Sequence, residues 1–217
     1  MKLVILGGRA PYEETRRQQL KLVEQRKAGG PDTLLLLEHE PVITLGRSAD
    51  DRGVLASAQE LERLGVRVHR VERGGEATYH GPGQIVGYPV VHLPGLGLGV
   101  RKYVSLLEEV MIRVAARYGV TAFRKPKLTG AFTAQGKLGA IGVRVTRGVA
   151  FHGFAFNVCP DLSHYRLIVP CGLVDTPVAS LASILGRAPS MAEAREAIAD
   201  AFVAVFDVDL VASPQRE

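Results

Sequence analysis

An α/β or α+β fold filling residues 1–217 as one domain is what this sequence predicts, on three observations. Strand-like and helix-like patterns alternate along the chain, with no linker and no internal repeat. A chain of 217 residues can bury roughly 70% of its unfolded surface, so it needs neither metal nor disulfide to hold a core. Hydrophobic residues are 47% and charged residues 23%, which excludes disordered, collagen-like and coiled-coil chains. The crossovers are too irregular for a doubly wound sheet.

Residues 1–6 predict an edge strand. Residues 13–27 are polar around Leu20, Leu22 and Val23 and predict a surface helix, ended by Gly29-Gly30-Pro31. The run Leu34-Leu35-Leu36-Leu37 predicts a fully buried strand, and residues 42–45 continue extended. A short helix over 58–64 stops at Gly65. Val66 and Val68 alternate with Arg67 and His69, as in a half-buried strand. Residues 73–84, RGGEATYHGPGQ, predict a loop, and 85–91 a strand. Tyr103, Leu106, Leu107, Val110, Met111, Val114 and Tyr118 recur at helical spacing, with a stop at Gly119. Residues 138–146 and 149–158 form a hairpin turned at Arg147-Gly148. Ser190 and Glu193 match a capping box, opening a helix whose core face is Ala194, Ile198 and Phe202.

Lys and Arg total 27 against 22 Asp and Glu, a net charge of +5. A basic surface favours acidic partners. The basic residues are scattered, aromatics are only 6% and Trp is absent, which argues against nucleic acid. Two cysteines do not make a secreted disulfide scaffold. No apolar run approaches the roughly 18 residues of a membrane span. Met1 to Leu6 is too short for a signal peptide, so the expectation is a soluble, cytoplasmic protein with no membrane partner.

Several residues could carry chemistry. Cys171, in Ile168-Val169-Pro170-Cys171-Gly172, sits on a turn that can present a thiol to a cleft. A free thiol titrates near 8.5, so it needs a cationic neighbour to act as a nucleophile. The competing reading is a buried structural cysteine. For Cys159, before Pro160 at a strand end, the structural reading is preferred. His152, Cys159, His164 and Cys171 lie 7, 5 and 7 residues apart, too far for the paired ligands of a zinc site, so neither metal nor other cofactor is expected. Lys137 is a solvated lysine at a hairpin end or, at a concave surface, a partner for a thiolate. The glycine-dense 73–84 loop, framed by Arg73 and His80, is neither a Walker loop nor a dinucleotide fingerprint. Such loops bring backbone NH groups to an anion or carbonyl.

These segments together resemble the lipoyl(octanoyl) transferases, over roughly residues 3–184. The marks are EHEPVITLGR at 38–47, RGGEATYHGPGQIVGYPV at 73–90, KLGAIGVRV at 137–145, HGFAFNV at 152–158 and IVPCG at 168–172. The resemblance implies a biotin/lipoate protein ligase-like fold with a central mixed sheet. It implies transfer of an octanoyl group from octanoyl-acyl carrier protein to a lysine of lipoyl domains, those of 2-oxoacid dehydrogenase complexes and the glycine-cleavage H protein. By resemblance, Cys171 matches the nucleophile and Lys137 its paired lysine. Arg73, Gly74, Gly75, Glu76, Ala77, Thr78, Tyr79 and His80 match the acyl-binding segment. Ala140, Ile141 and Gly142 join them, with Gly153, Phe154 and Ala155. Glu76 departs from the family, where a neutral or basic residue is frequent.

The implied chemistry is a two-step acyl transfer through a Cys171 thioester, with no ATP. Lys137 or His80 would take the amine proton. Small residues at Gly142, Gly153 and Ala155 would leave a tunnel for the acyl chain, so Gly153→Leu is expected to shorten the preferred chain. The rivals are an ATP-dependent lipoate or biotin ligase of the same fold, and a non-catalytic binding module for lipoyl domains or nucleic acid.

Overall fold

The computed structural model describes residues 1–169 and 177–212. In chain order the elements are β1 (Lys2–Ala10), α1 (Tyr12–Lys27), β2 (Thr33–His39), β3 (Val42–Leu45), α2 (Ala58–Arg63), β4 (Arg67–Arg70), β5 (Ala77–His80) and β6 (Gln84–His92). There follow α3 (Val100–Arg117), β7 (Ala131–Thr133), β8 (Gly136–Thr146), β9 (Val149–Asn157), α4 (Leu181–Leu185), α5 (Met191–Phe206) and β10 (Val211–Ala212). Seven strands form a mixed sheet in the order β10-β1-β2-β6-β9-β8-β7, and β4-β3-β5 form a second, small sheet. In the large sheet, β1 runs parallel to β10 and β2, and the remaining pairs are antiparallel.

Strand β2 explains the layering. Leu34 and Leu36 point into a core completed by α3 and α5, while Leu35 and Leu37 point to the other face. All four are fully buried, because each face of the sheet is covered. Helix α1 covers part of the second face. Its buried residues Tyr12, Thr15, Gln19 and Val23 lie on one side of the helix, and Val23 packs with Val90, Val149 and Phe151. The small sheet covers the rest of that face.

Local signals set the boundaries. Gly119, at φ +75°, follows the end of α3. The β8–β9 turn takes Arg147 and Gly148 at φ +47° and +79°, the positive pair a two-residue hairpin requires. Ser190 and Glu193 cap α5 reciprocally, with 3.2 Å from the Glu193 NH to Ser190 Oγ and 2.8 Å from the Ser190 NH to Glu193 Oε2. Ala194, Ile198 and Phe202 are buried, as their spacing predicts.

Two expectations need correction. β1 is longer than 1–6 and is not the edge, since β10 pairs beyond it at Lys2 and Leu3. Residues 42–45 are extended, as expected: after Glu40-Pro41 they form β3, which starts the small sheet. The 73–84 segment is not all loop. Residues 77–80 form β5, pairing with β3 from Ala77↔Leu45 to His80↔Val42. Its glycines mask a short strand whose four residues are all buried.

Candidate active site

A narrow cavity opens where the small sheet faces the large one. Register builds its floor. Ala140 pairs with Ala155, and Ala155 with Val86 on its other side; Gly142 pairs with Gly153. Thr78 and His80 line the opposite wall, and Tyr12, Arg73, Tyr88 and His152 complete it. A second hollow shares Thr78 and Ala140 with the first and continues to Lys137, Asn157, Tyr165 and Val178. The two hollows adjoin at Thr78 and Ala140, with His152 lining one and Lys137 the other.

Arg73 is 6% exposed and holds the wall in place. Its guanidinium donates to Thr44 O at 2.7 Å, Thr44 Oγ1 at 2.8 Å, Glu76 O at 2.8 Å and Gly74 O at 3.0 Å. Backbone bonds from Gly46 to Glu76 O, Arg47 to Arg73 O and Ser48 to Gly75 O bind the same turn to the end of β3. A Cβ on Gly46 would overlap the Gly75 carbonyl oxygen, so this close approach needs glycine.

A buried polar chain fixes His80. Asn157 Nδ2 donates to Ala179 O at 3.0 Å, which leaves Asn157 Oδ1 to accept from Gln84 Nε2 at 2.9 Å. Gln84 Oε1 therefore accepts from His80 Nδ1, at 2.7 Å. The proton is on Nδ1, and Nε2 keeps a lone pair. Burial, with His39 next and Arg73 adding to it, lowers the His80 pKa to about 3, so the ring is neutral. His39 is fixed likewise: Nδ1 donates to Ala10 O at 2.9 Å and Nε2 accepts from Tyr88 OH at 2.8 Å. Burial lowers its pKa to about 4.

Lys137 stands at the other end. Its NH donates to Pro177 O at 2.8 Å and its carbonyl accepts from Ala179 NH at 3.0 Å. Its Nζ lies 5.6 Å from the centre of the Phe132 ring. Cys171 lies outside the described residues. The backbone on either side of it is held: the Val169 NH donates to Gly53 O at 2.9 Å, and Val178 bridges to Lys137.

The remaining sequence candidates divide by strand alternation. Tyr79 points away from the cavity, into the core of the small sheet, where its hydroxyl meets His164 Nδ1 at 2.7 Å. Ala77 lines the hollow beside Lys137. Gly74 and Gly75 line an open groove with Lys127, Lys137 and Val143, and Glu76 contributes its carbonyl to Arg73. Ile141, Gly142, Gly153 and Phe154 also line the cavity, while Phe154 belongs to the helix-side core and Ile141 packs against it. Gly153 does not leave tunnel space. A Cβ there would overlap the Gly87 carbonyl oxygen and crowd Pro89, so Gly153→Leu would disrupt the sheet before it could shorten an acyl chain. Cys159 lies just past β9 on the exposed surface; desolvation by the protein around it, and then Glu38, raise its thiol pKa.

Sequence reasoning missed Tyr12, Gln84, Tyr88, Asn157 and the placement of His152. Gln84, Tyr88, His152 and Asn157 lie within the motif segments at 73–90 and 152–158. Tyr12 carried no signal; α1 brings it to the cavity from a distant part of the chain. Among the described residues, no three His, Cys, Asp or Glu side chains group as metal ligands would, and no helix is long and apolar enough to cross a membrane.

Comparison with known proteins follows the same lines. The family model for the lipoyl protein ligase A/B catalytic domain matches residues 11–203. An octanoyltransferase of Alkaliphilus metalliredigens is 43% identical over 210 residues, covering 96% of each chain. One from Chloroflexus aggregans is 47% identical over 205 residues, covering 93% of each. Among solved structures, a bipartite lipoate protein ligase of Thermoplasma acidophilum superposes with a TM-score of 0.78 at 17% identity, covering 100% of this chain and 87% of that one. At that identity the likeness speaks for the fold, including its central mixed sheet.

Proposed function

The chain belongs to the lipoyl protein ligase A/B catalytic domain family and, within it, to the octanoyltransferases, and from that premise we propose how it works. Residues 1–217 act as one catalytic unit. It moves an octanoyl group from octanoyl-acyl carrier protein to a lysine of a lipoyl domain, as found in 2-oxoacid dehydrogenase complexes and the glycine-cleavage H protein. Two adjoining hollows, taken as one acyl channel, support this reading: the space is narrow and mostly apolar, with a lysine at one end. Each methylene buried there contributes about 0.8 kcal/mol, so an octanoyl tail supplies several kcal/mol of binding.

In this mechanism Cys171 reacts as a thiolate and Lys137 as its ammonium partner. The thiolate bonds to the donor's acyl carbon, the donor C–S bond breaks, and the leaving thiolate takes the Lys137 proton. Lys137, now an amine, accepts the proton of the target lysine as its nitrogen bonds to the acyl carbon and the Cys171 C–S bond breaks. The amide leaves, and the thiolate–ammonium pair is restored. The pair titrates as a unit. His80 is too weak a base for this proton, because burial holds its pKa near 3. It serves as a fixed wall of the channel. The net charge of +5 suits acidic carrier and lipoyl domains, with activity falling as salt rises.

An ATP-dependent ligase shares this fold. The test is transfer to a purified apo-lipoyl domain from octanoyl-acyl carrier protein without ATP. An octanoyl amide on the acceptor supports the reading; transfer that requires octanoic acid, ATP and Mg²⁺ overturns it.

A further inference from the structure

We propose that Asn157 is a positioning residue for the Cys171–Lys137 pair: it fastens the chain returning from Cys171 to the sheet beside Lys137. This rests on the octanoyl-transfer reading above. Asn157 ends β9 and is 3% exposed. By strand alternation it shares a face with Ala155, two residues earlier. Ala155 lines the first hollow, and Asn157 lines the second with Lys137, Tyr165 and Val178.

A buried amide is costly unless its polar atoms are paired. Asn157 has partners on two sides. Its Oδ1 accepts from Gln84 Nε2 at 2.9 Å and from the Tyr165 hydroxyl at 3.2 Å. Gln84 in turn holds His80, in the wall of the first hollow. Asn157 Nδ2 reaches the other way and donates to Ala179 O at 3.0 Å.

Ala179 belongs to the stretch that meets Lys137. That stretch begins at Pro177, six residues after Cys171. The Lys137 NH donates to Pro177 O at 2.8 Å, and the Ala179 NH donates to Lys137 O at 3.0 Å. These bonds make a single parallel bridge, Lys137↔Val178. One bridge is short for a strand pairing. Asn157 adds a bond to it from β9, and Ala179 is 1% exposed, so water does not compete for that carbonyl. The chain leading from the nucleophile is thereby held against the backbone of its paired lysine. Ser180 then caps α4, so the rival role for Asn157 is to seat that helix.

The test is a double-mutant cycle on the rate of acylation by octanoyl-acyl carrier protein at saturating donor, read by mass spectrometry. Asn157→Ala should slow acylation at least about tenfold, within the range a small misplacement of reacting groups costs. With Lys137→Ala already in place, Asn157→Ala should cost less than about threefold, because the pair it positions is gone. A residue that only seats α4 would cost the same factor in both backgrounds, and that result overturns the proposal. So does a folded Asn157→Ala protein that acylates within about threefold of the unaltered one. Amide exchange in the unaltered protein needs no variant: the Ala179 NH should exchange at least about a hundredfold more slowly than an unprotected amide. Unprotected exchange there overturns the proposal, whether or not the variants fold. If the donor does not acylate the unaltered protein, the octanoyl-transfer reading falls, and this one with it.

Discussion

Ala155→Leu tests the channel where its wall can be changed without breaking the sheet. Ala155 is 3% exposed, pairs with Ala140 and Val86, and lines the cavity. Leucine adds three carbons where the acyl chain would lie. Displacing about three methylenes at about 0.8 kcal/mol each forfeits about 2.4 kcal/mol of octanoyl binding, or about fiftyfold in kcat/KM. Hexanoyl and butanoyl chains lose less, so the preferred donor should shorten. The assay is acylation of Ala155→Leu and the unaltered protein by butanoyl-, hexanoyl- and octanoyl-carrier protein, with thermal unfolding as a control for folding. A folded variant that still prefers octanoyl by the original margin would refute the placement of the chain.

Gly153→Ala is expected to destabilise the protein by about 1–3 kcal/mol, since its Cβ would overlap the Gly87 carbonyl; an unchanged urea midpoint would contradict this. Ser190→Ala removes the capping box of α5 and should cost about 1 kcal/mol in the same assay, with acylation rates unaltered. His39, His80 and His152 are held neutral chiefly by burial, with pKa values of about 4, 3 and 4 against an ordinary 6.5. Unfolding lets each take up a proton below pH about 6.5, so their contribution is whole above that pH and is lost as pH falls toward 4. Each unmatched proton steepens the loss by about 1.4 kcal/mol per pH unit. Urea midpoints flat between pH 7 and 5 would contradict the buried, neutral assignment.

Regular elements were legible in the sequence because their signals are local. The capping box at Ser190 and Glu193, the helical spacing of Tyr103 to Val114 and the Arg147-Gly148 turn each depend on neighbours within a few residues. β5 was hidden because glycine on both sides dominates the composition, while its partner β3 lies more than thirty residues earlier. Arg73, Thr78, His80, Ala140, Ile141, Gly142, Gly153, Phe154 and Ala155 were identified by resemblance, and all nine line one cavity. Gly153 misled because a small side chain reads alike whether the space belongs to a ligand or to a carbonyl oxygen. Tyr12 could not be read at all: only the packing of α1 across β6 and β9 brings it to the site.

The thioester on Cys171 is the central claim, and intact mass after incubation with octanoyl-acyl carrier protein and no ATP tests it most directly. The account predicts a gain of one octanoyl group, released by hydroxylamine and absent from Cys171→Ser. An unmodified protein, or an adduct that persists in Cys171→Ser, would contradict it.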